Sequence, residues 1–311
     1  MASCPERLWP RTLIPYTAAW MALPCDVGVV QTDELHVDAE ATGHALALWN
    51  STYDERVGVE VDRLRRGFRA VLGDVPPLAF DAARAAGVPA FALANFTWDW
   101  IYERMGFPQA AANARAAYAG AELVFELEPA APMTAFDRRV PVGVLGRPQS
   151  RPRHAIRRAL GVEAHHRLVL VGFRNPDTCL LPEPATDVRY LLPGPHAPRA
   201  DLVVNAGDVD FNDMMGAADV VVAKAGYGIV ADSAACGTPL LYTLRSGFPE
   251  DEVLGRWLAE RPACRFVSPY ALSGGAWFGD LAAVLCEPRQ KPVVARAIDA
   301  AADRLASALA D

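Results

Sequence analysis

The stretch Ala218-Asp-Val-Val-Val-Ala-Lys224-Ala-Gly226-Tyr227-Gly228-Ile229-Val-Ala-Asp232-Ser-Ala-Ala-Cys236-Gly237-Thr-Pro239 decides the fold. Asp219–Ala223 is rich in β-branched residues and reads as a fully buried strand. It runs into a loop with two glycines and then into a helix that Gly237 and Pro239 end. A strand feeding directly into a helix is the repeating unit of α/β proteins with parallel sheets. Glycine lets a backbone approach a ligand closely, and a helix start offers unpaired N–H groups and the positive end of the dipole. The loop with Gly226 and Gly228 and the helix start therefore form a candidate anion cradle, to which Lys224 could add a cation. An ordinary strand-to-helix turn has the same composition, and the absence of GxxxxGK[ST] excludes an ATPase P-loop. Asp232 lies one to two turns into the helix, within reach of ribose hydroxyls on a ligand held at the helix start; otherwise it is a solvated helix residue.

Outward from this stretch the same alternation continues. On the C-terminal side of residue 150, strands are expected at Arg167–Gly172, Val188–Leu192, Leu240–Tyr242 and Arg265–Val267, with helices at Ile156–Leu160, Asn212–Ala217, Asp251–Ala259 and Val293–Leu309. On the N-terminal side, Val27–Val30, Leu78–Phe80, Pro89–Leu93 and Leu123–Phe125 read as buried strands. One or two helices fill Asp38–Leu72, and a short helix at Ala82–Ala86 stops at Gly87. Gly143–Arg153 has the composition of a linker. Two α/β domains, 1–148 and 149–290, with a terminal segment 291–311, are the resulting organisation.

The 311 residues suit two domains at about 150 residues each. With 52% hydrophobic and 22% charged residues and a mean hydropathy of +0.10, the chain is globular rather than disordered or coiled-coil. Lys and Arg number 30 against 37 Asp and Glu, a net charge of −7, and there is no basic run, which argues against a nucleic-acid partner. No stretch reaches the roughly 18 apolar residues of a membrane span, and Pro5, Glu6, Arg7, Pro10 and Arg11 break any signal-peptide core. The expected location is the cytoplasm. Six scattered cysteines (Cys4, Cys25, Cys179, Cys236, Cys264 and Cys286) form no zinc-type spacing and are expected to be reduced.

Two further segments carry chemistry. Glu250 and Asp251 follow a strand's carboxyl end, where open α/β sheets bind ligands, and adjacent carboxylates suit paired sugar hydroxyls. They equally suit the first turn of the helix they begin. In Asn95-Phe96-Thr-Trp98-Asp99-Trp-Ile-Tyr102, aromatic residues surround a carboxylate after a buried strand, a composition fit for a carbohydrate platform or for a packed edge with Asp99 as a helix cap. Asp208-Val-Asp210 has the spacing of a metal-binding DxD, but it precedes the helix at Asn212–Ala217, where capping is the expected role. No metal site is expected.

Together, Asp26–Asp33 with Val37-Asp38, Asn95–Tyr102, and Lys224–Val230 continuing to Glu250-Asp251 resemble the GT-B glycosyltransferase superfamily. The likeness is to the branch that includes the glycosyltransferase-like N-terminal region of plant L-arabinokinase and its stand-alone bacterial relatives. The resemblance implies two Rossmann-like domains facing a cleft, with the final helix packing back on the first. It implies a nucleotide-sugar as co-substrate, without a further cofactor, with its diphosphate on Lys224, Gly226, Tyr227, Gly228 and Ile229. Asp232 stands where the superfamily has a ribose-binding Glu, and Glu250 and Asp251 stand where donor-sugar hydroxyls are bound. Phe96, Trp98 and Asp99 fall on the acceptor side. Members of the branch begin with a strand and a loop resembling G-H-G-x-G-H that often supplies the catalytic base; this sequence starts after that point, so either its start lies upstream and the chain is incomplete, which is the expectation, or the first domain lacks its first strand. No catalytic residue is assigned, and His36 and His44 are the histidines to consider. The implied activity is metal-independent glycosyl transfer from a donor linked to UDP by the superfamily's habit, to an unspecified small-molecule acceptor. The alternative is a nucleotide-sugar-binding module without transfer. A Rossmann-fold reductase is disfavoured because no strand is followed by GxGxxG.

Overall fold

The computed structural model describes residues 24–175, 178–192, 199–205, 207, 209–293 and 298–308. The chain divides into two compact units. One holds residues 1–31, 38–124 and 132–139; the other holds 32–37, 125–131 and 140–311.

In the first unit, α1 (Ala39–Ser51) and α2 (Tyr53–Leu64) precede β1 (Val71–Gly73), α3 (Pro77–Ala86) and β2 (Ala90–Ala94). Then come α4 (Trp98–Arg104) and α5 (Pro108–Tyr118), followed by β3 (Leu123–Glu128) and β4 (Arg139–Val144), of which residues 123–124 and 139 fall in this unit and residues 125–128 and 140–144 in the other. These four strands form a sheet of order β1-β2-β3-β4, with β1 parallel to β2. Two expected strands are corrected here. Leu78–Phe80 is the first turn of α3, because Pro77 occupies its first position, where a missing N–H costs nothing and a fixed φ favours the helix. Val27–Val30 pairs with no strand among the described residues. Gly28 turns left-handed (φ 68°), Val30 N donates to the Thr42 hydroxyl at 3.0 Å, and the Tyr102 hydroxyl donates to the Gly28 carbonyl at 3.3 Å. Side chains thus satisfy the backbone groups that a sheet ladder would otherwise take.

The second unit contains α6 (Arg153–Ala159), β5 (Arg167–Val171), β6 (Val188–Leu191), β7 (Leu202–Val203), α7 (Phe211–Ala217), β8 (Val220–Lys224) and α8 (Tyr227–Cys236). After these come β9 (Leu240–Thr243), α9 (Glu250–Ala259), β10 (Cys264–Phe266), α10 (Pro269–Gly274), α11 (Phe278–Leu285) and α12 (Ile298–Ala308). Its sheet has the order β10-β9-β8-β5-β6-β7, and every pair is parallel. Read from β7, that is the 3-2-1-4-5-6 order of a doubly wound Rossmann sheet. Both faces are covered: Leu168, Leu170, Val221 and Ala223 point into one core, and Val169, Val171, Val220 and Val222 into the other. Burial on both faces is why these strands read as unbroken apolar runs.

Asp210 caps α7 by accepting from Asp213 N at 2.8 Å, as the sequence suggests; Asp208 lies outside the described residues, as do Cys4 and the first twenty-three positions. Cys179, Cys236, Cys264 and Cys286 are free thiols. No described helix is long and apolar enough to cross a membrane.

Candidate functional site

In a 3-2-1-4-5-6 sheet the strand order reverses between the first and fourth strands, and ligands bind outside their carboxyl ends. Here those strands are β5 and β8. β8 ends at Lys224, and α8 begins three residues later with Gly226 at its N-cap, extended (φ −158°) and with no side-chain capping bond. Neither Gly226 nor Gly228 has a positive φ, and a methyl group added at either would meet nothing within 4 Å. Backbone strain and packing therefore do not call for glycine here, whereas open space beside uncapped helix N–H groups does. Gly237 differs, since it closes α8 in the left-handed conformation (φ 65°).

Charged groups converge at the same sheet edge. Lys224 pairs in register with Thr243 at the end of β9, and the fully buried Thr243 Oγ1 has no hydrogen-bond partner. Burial, followed by the neighbouring Arg245 cation, holds the Lys224 ammonium below its ordinary range; Glu34 and Asp251 pull the other way. Burial pushes the Tyr227 phenol far above its ordinary range, reinforced by the Glu250 charge.

Glu250 and Asp251 begin α9 and are buried with Arg245. The Arg245 guanidinium donates from Nη2 to Glu250 Oε2 at 3.0 Å and from Nε to Asp251 Oδ1 at 3.0 Å, while its backbone N–H donates to Asp251 Oδ2. Its charged end lies 3.8 Å from the Phe248 ring centroid. Burial raises the Glu250 carboxyl above the usual range despite Arg245's opposing pull. Asp232 is also engaged. Its Oδ1 accepts from Arg147 N at 2.7 Å, and its Oδ2 lies 3.8 Å from the Arg147 guanidinium.

Sequence reasoning missed three members of this neighbourhood. Arg245 carries no motif, and its role depends on the β9–α9 loop folding back. Arg174, just beyond β5, and Glu34 come from segments far apart in sequence; Arg174 N donates to Glu34 Oε1 at 2.8 Å, and the buried Glu34 Oε2 has no partner. The segment bearing Glu34 is held by a bond from Ser246 N to Leu35 O at 3.1 Å. His36, next along, is exposed and paired with Asp33 at 2.9 Å; His44 is exposed on α1.

The aromatic segment lies in the first unit. Trp98 is buried between Phe96 (centroids 5.0 Å, edge-on) and Tyr102 (5.3 Å, stacked). Asp99, 1% exposed, accepts from Arg115 Nε at 3.2 Å, and its buried Oδ1 has no partner. Thr97, not Asp99, occupies the N-cap of α4. Trp98 Nε1 donates to Asp26 Oδ2 at 3.0 Å.

A doubly wound parallel sheet with an open-sided glycine turn at its reversal point, together with a second α/β unit, defines the class, and the chain has the GT-B glycosyltransferase fold, with two Rossmann-like units. Among solved structures it is similar to the calicheamicin glycosyltransferase CalG4 (TM-score 0.56, 15% identity, covering 89% of this chain and 82% of that one). It is similar also to Arabidopsis thaliana UGT89C1 complexed with UDP (TM-score 0.52, 14% identity, 80% and 71%) and to the glycosyltransferase VinC in complex with dTDP (TM-score 0.53, 13% identity, 86% and 75%). In sequence it is 28% identical over 251 residues to L-arabinokinase of Arabidopsis thaliana, an alignment taking in 75% of this chain and 24% of that protein. The chain thus spans about a quarter of the length of that curated relative. It matches no protein-family model.

Proposed function

We propose that the chain is a cytosolic, metal-independent glycosyltransferase that moves a sugar from a nucleotide-sugar to a hydroxyl acceptor. The observation that carries this reading is the pair of glycines, Gly226 and Gly228, bordered by open space at the uncapped start of α8. The donor diphosphate lies against Gly226, Tyr227, Gly228 and Ile229, and the helix N-terminus and Lys224 stabilise the charge that develops as the diphosphate departs. Asp232 faces the ribose, and Glu250 and Asp251 face the donor sugar while holding Arg245 beside Lys224. Residues 149–290 form the donor half and residues 1–148 the acceptor half, with Phe96, Trp98 and Asp99. UDP is the preferred nucleotide on the strength of the superfamily resemblance.

One observation favours a second reading, a binding module without transfer: Asp232 and the Glu250/Asp251 pair already have partners within the chain. Thermal unfolding with UDP, GDP and dTDP and their common sugars tests the shared donor site, since a ligand at 100 times its Kd stabilises by about 2.7 kcal/mol. A shift with one nucleotide, absent in Gly228→Trp, is expected; no shift from a cooperatively melting chain overturns the donor site. Release of nucleoside diphosphate from the bound nucleotide-sugar in EDTA, dependent on added acceptor, separates transfer from binding alone.

A further inference from the structure

A cavity of about 710 Å³ lies within the first unit and shares no lining residue with the β8–α8 turn. It opens to solvent alongside α1, a helix with Thr42 as its buried residue and with Leu46 and Trp49 on the cavity wall. Its size falls within the range of small-molecule sites.

The lining has two characters. Trp49, Tyr53, Tyr102 and Phe107 supply aromatic surface. Opposite charges and amides supply the rest. Gln109 Nε2 donates to Asn113 Oδ1 at 3.0 Å, and Asn113 Nδ2 donates to Asn50 Oδ1 at 3.4 Å, a chain of side-chain amides joining α5 to α1. Each amide both donates and accepts, which suits hydroxyl groups better than it suits a plain anion or an alkyl chain. Asp26 completes the wall. Its Oδ2 is fixed by Trp98 Nε1, and its Oδ1 accepts no hydrogen bond from any described residue. Asp54 and Asp81 add acid to the lining against the single Arg84, and Asp81 is already held by Arg84 and by the Tyr53 hydroxyl at 2.8 Å. Asp26 is therefore the lining carboxylate with its position fixed and one oxygen open to a guest.

We infer that this cavity binds a compact polyhydroxylated molecule, a free monosaccharide or cyclitol, which lays its C–H face on the aromatic side chains and donates a hydroxyl to Asp26 Oδ1 while the amide chain bridges its other hydroxyls. Ring stacking and hydroxyl-to-carboxylate hydrogen bonding are the complementary halves of carbohydrate recognition, and this wall carries both. The binding stands apart from the nucleotide reading, because no lining residue belongs to the β8–α8 site.

Calorimetric titration of the full chain with a panel of free aldopentoses, aldohexoses and myo-inositol tests it. At least one member is expected to bind with a Kd below about 10 mM. Asp26→Asn is expected to weaken that binding about tenfold or more with a cooperative melt retained. Asn50→Ala, on the exposed side of α1, weakens it too and guards against loss of fold in the first variant. Asp232→Asn, in the second unit, leaves sugar binding unchanged, and saturating UDP does not compete. A wild-type chain that melts cooperatively and binds no member of the panel overturns the proposal. So does binding that neither Asp26→Asn nor Asn50→Ala alters. Loss of nucleotide binding alone leaves the proposal standing and counts against the donor site instead.

Discussion

The Asp232 carboxylate accepts a 2.7 Å hydrogen bond from the backbone N–H of Arg147, tying α8 to a residue 85 positions earlier in the chain. The same carboxylate is the ribose-facing group in the proposed donor site, so one side chain carries a structural and a binding role. The two roles separate by substitution. In Asp232→Asn the amide oxygen still accepts from Arg147 N, and stability is expected to change by less than about 1 kcal/mol, whereas nucleotide affinity falls. In Asp232→Ala the Arg147 N–H loses its charged partner, at a cost of about 1–3 kcal/mol. Urea unfolding of both variants beside nucleotide titration checks this; equal loss of stability in both assigns the residue to structure alone.

How much of this was legible in the sequence depends on the range of the interaction. The β8–α8 turn could be read because its signals are local: a two-faced apolar strand, two glycines, and a glycine–proline stop. Glu250 and Asp251 announced themselves at a strand's end, but Arg245 did not, since what makes it a partner is the path of the loop rather than any spacing. The Asp232–Arg147 bond leaves no local trace at all. A buried helical turn and a short buried strand share an apolar run, so Leu78–Phe80 alone does not separate them, and Pro77 is the residue that marks the helix start. In the aromatic segment, the carboxylate that accepts from Trp98 Nε1 is Asp26, seventy-two positions away, and not the neighbouring Asp99.

The Arg245 triad gives a prediction with a pH signature. Arg245→Met leaves two buried carboxylates without their cation, and breaking such a group costs about 3–5 kcal/mol near neutral pH. Burial already raises the Glu250 carboxyl, and a raised carboxyl contributes stability below its unfolded-state value that is lost as pH rises through the folded value. Removing Arg245 raises it further. The deficit of the variant is therefore expected to be largest at neutral pH and to shrink as the solution is acidified towards the ordinary carboxylate range. Chemical denaturation of both proteins across that span checks it; a deficit independent of pH would mean that Arg245 acts through packing on Phe248 alone.

Lys224 behaves in the opposite sense. Burial holds its ammonium below the ordinary range, so its charge opposes folding, and stability gains as pH rises from the depressed value towards the unfolded one. Lys224→Met removes that burden, and the free chain is expected to be as stable as the wild type or slightly more so. Nucleoside diphosphate affinity is expected to fall by about tenfold or more, with the nucleoside alone little affected. Parallel titrations with UDP and uridine discriminate; equal weakening of both would place Lys224 away from the diphosphate.

The glycines divide into two sets that mutation should tell apart. A methyl at Gly228 meets open space, so Gly228→Ala is expected to fold normally, and Gly228→Trp to fold but exclude nucleotide. A methyl at Gly146 runs into the Ala231 carbonyl of α8, a backbone atom that cannot step aside cheaply. Gly146→Ala is expected to lose about 1–3 kcal/mol or more by overpacking. Thermal melts of the three variants decide the point.

Trp98→Phe tests the join between the aromatic segment and the first-unit cavity. The smaller ring keeps part of the stack on Tyr102 but removes the Nε1 donor that fixes Asp26 Oδ2. Burial already raises the Asp26 carboxyl against the pull of that one hydrogen bond, so its loss raises the carboxyl further, and the contribution it makes to stability is greatest at acid pH. A loss of about 1–3 kcal/mol is expected near neutral pH, from the unpartnered carboxylate and the volume vacated by the indole. The loss should narrow on acidification, because protonating Asp26 removes the buried charge that Trp98 serves. If Asp26 is the anchor for a hydroxylated guest, the variant also binds that guest more weakly at neutral pH, although Trp98 does not line the cavity. Sugar titration and denaturant unfolding of Trp98→Phe at neutral and acidic pH measure both effects. A stability loss without any change in sugar affinity would separate Asp26 from the cavity's ligand and leave Trp98 with a packing role only.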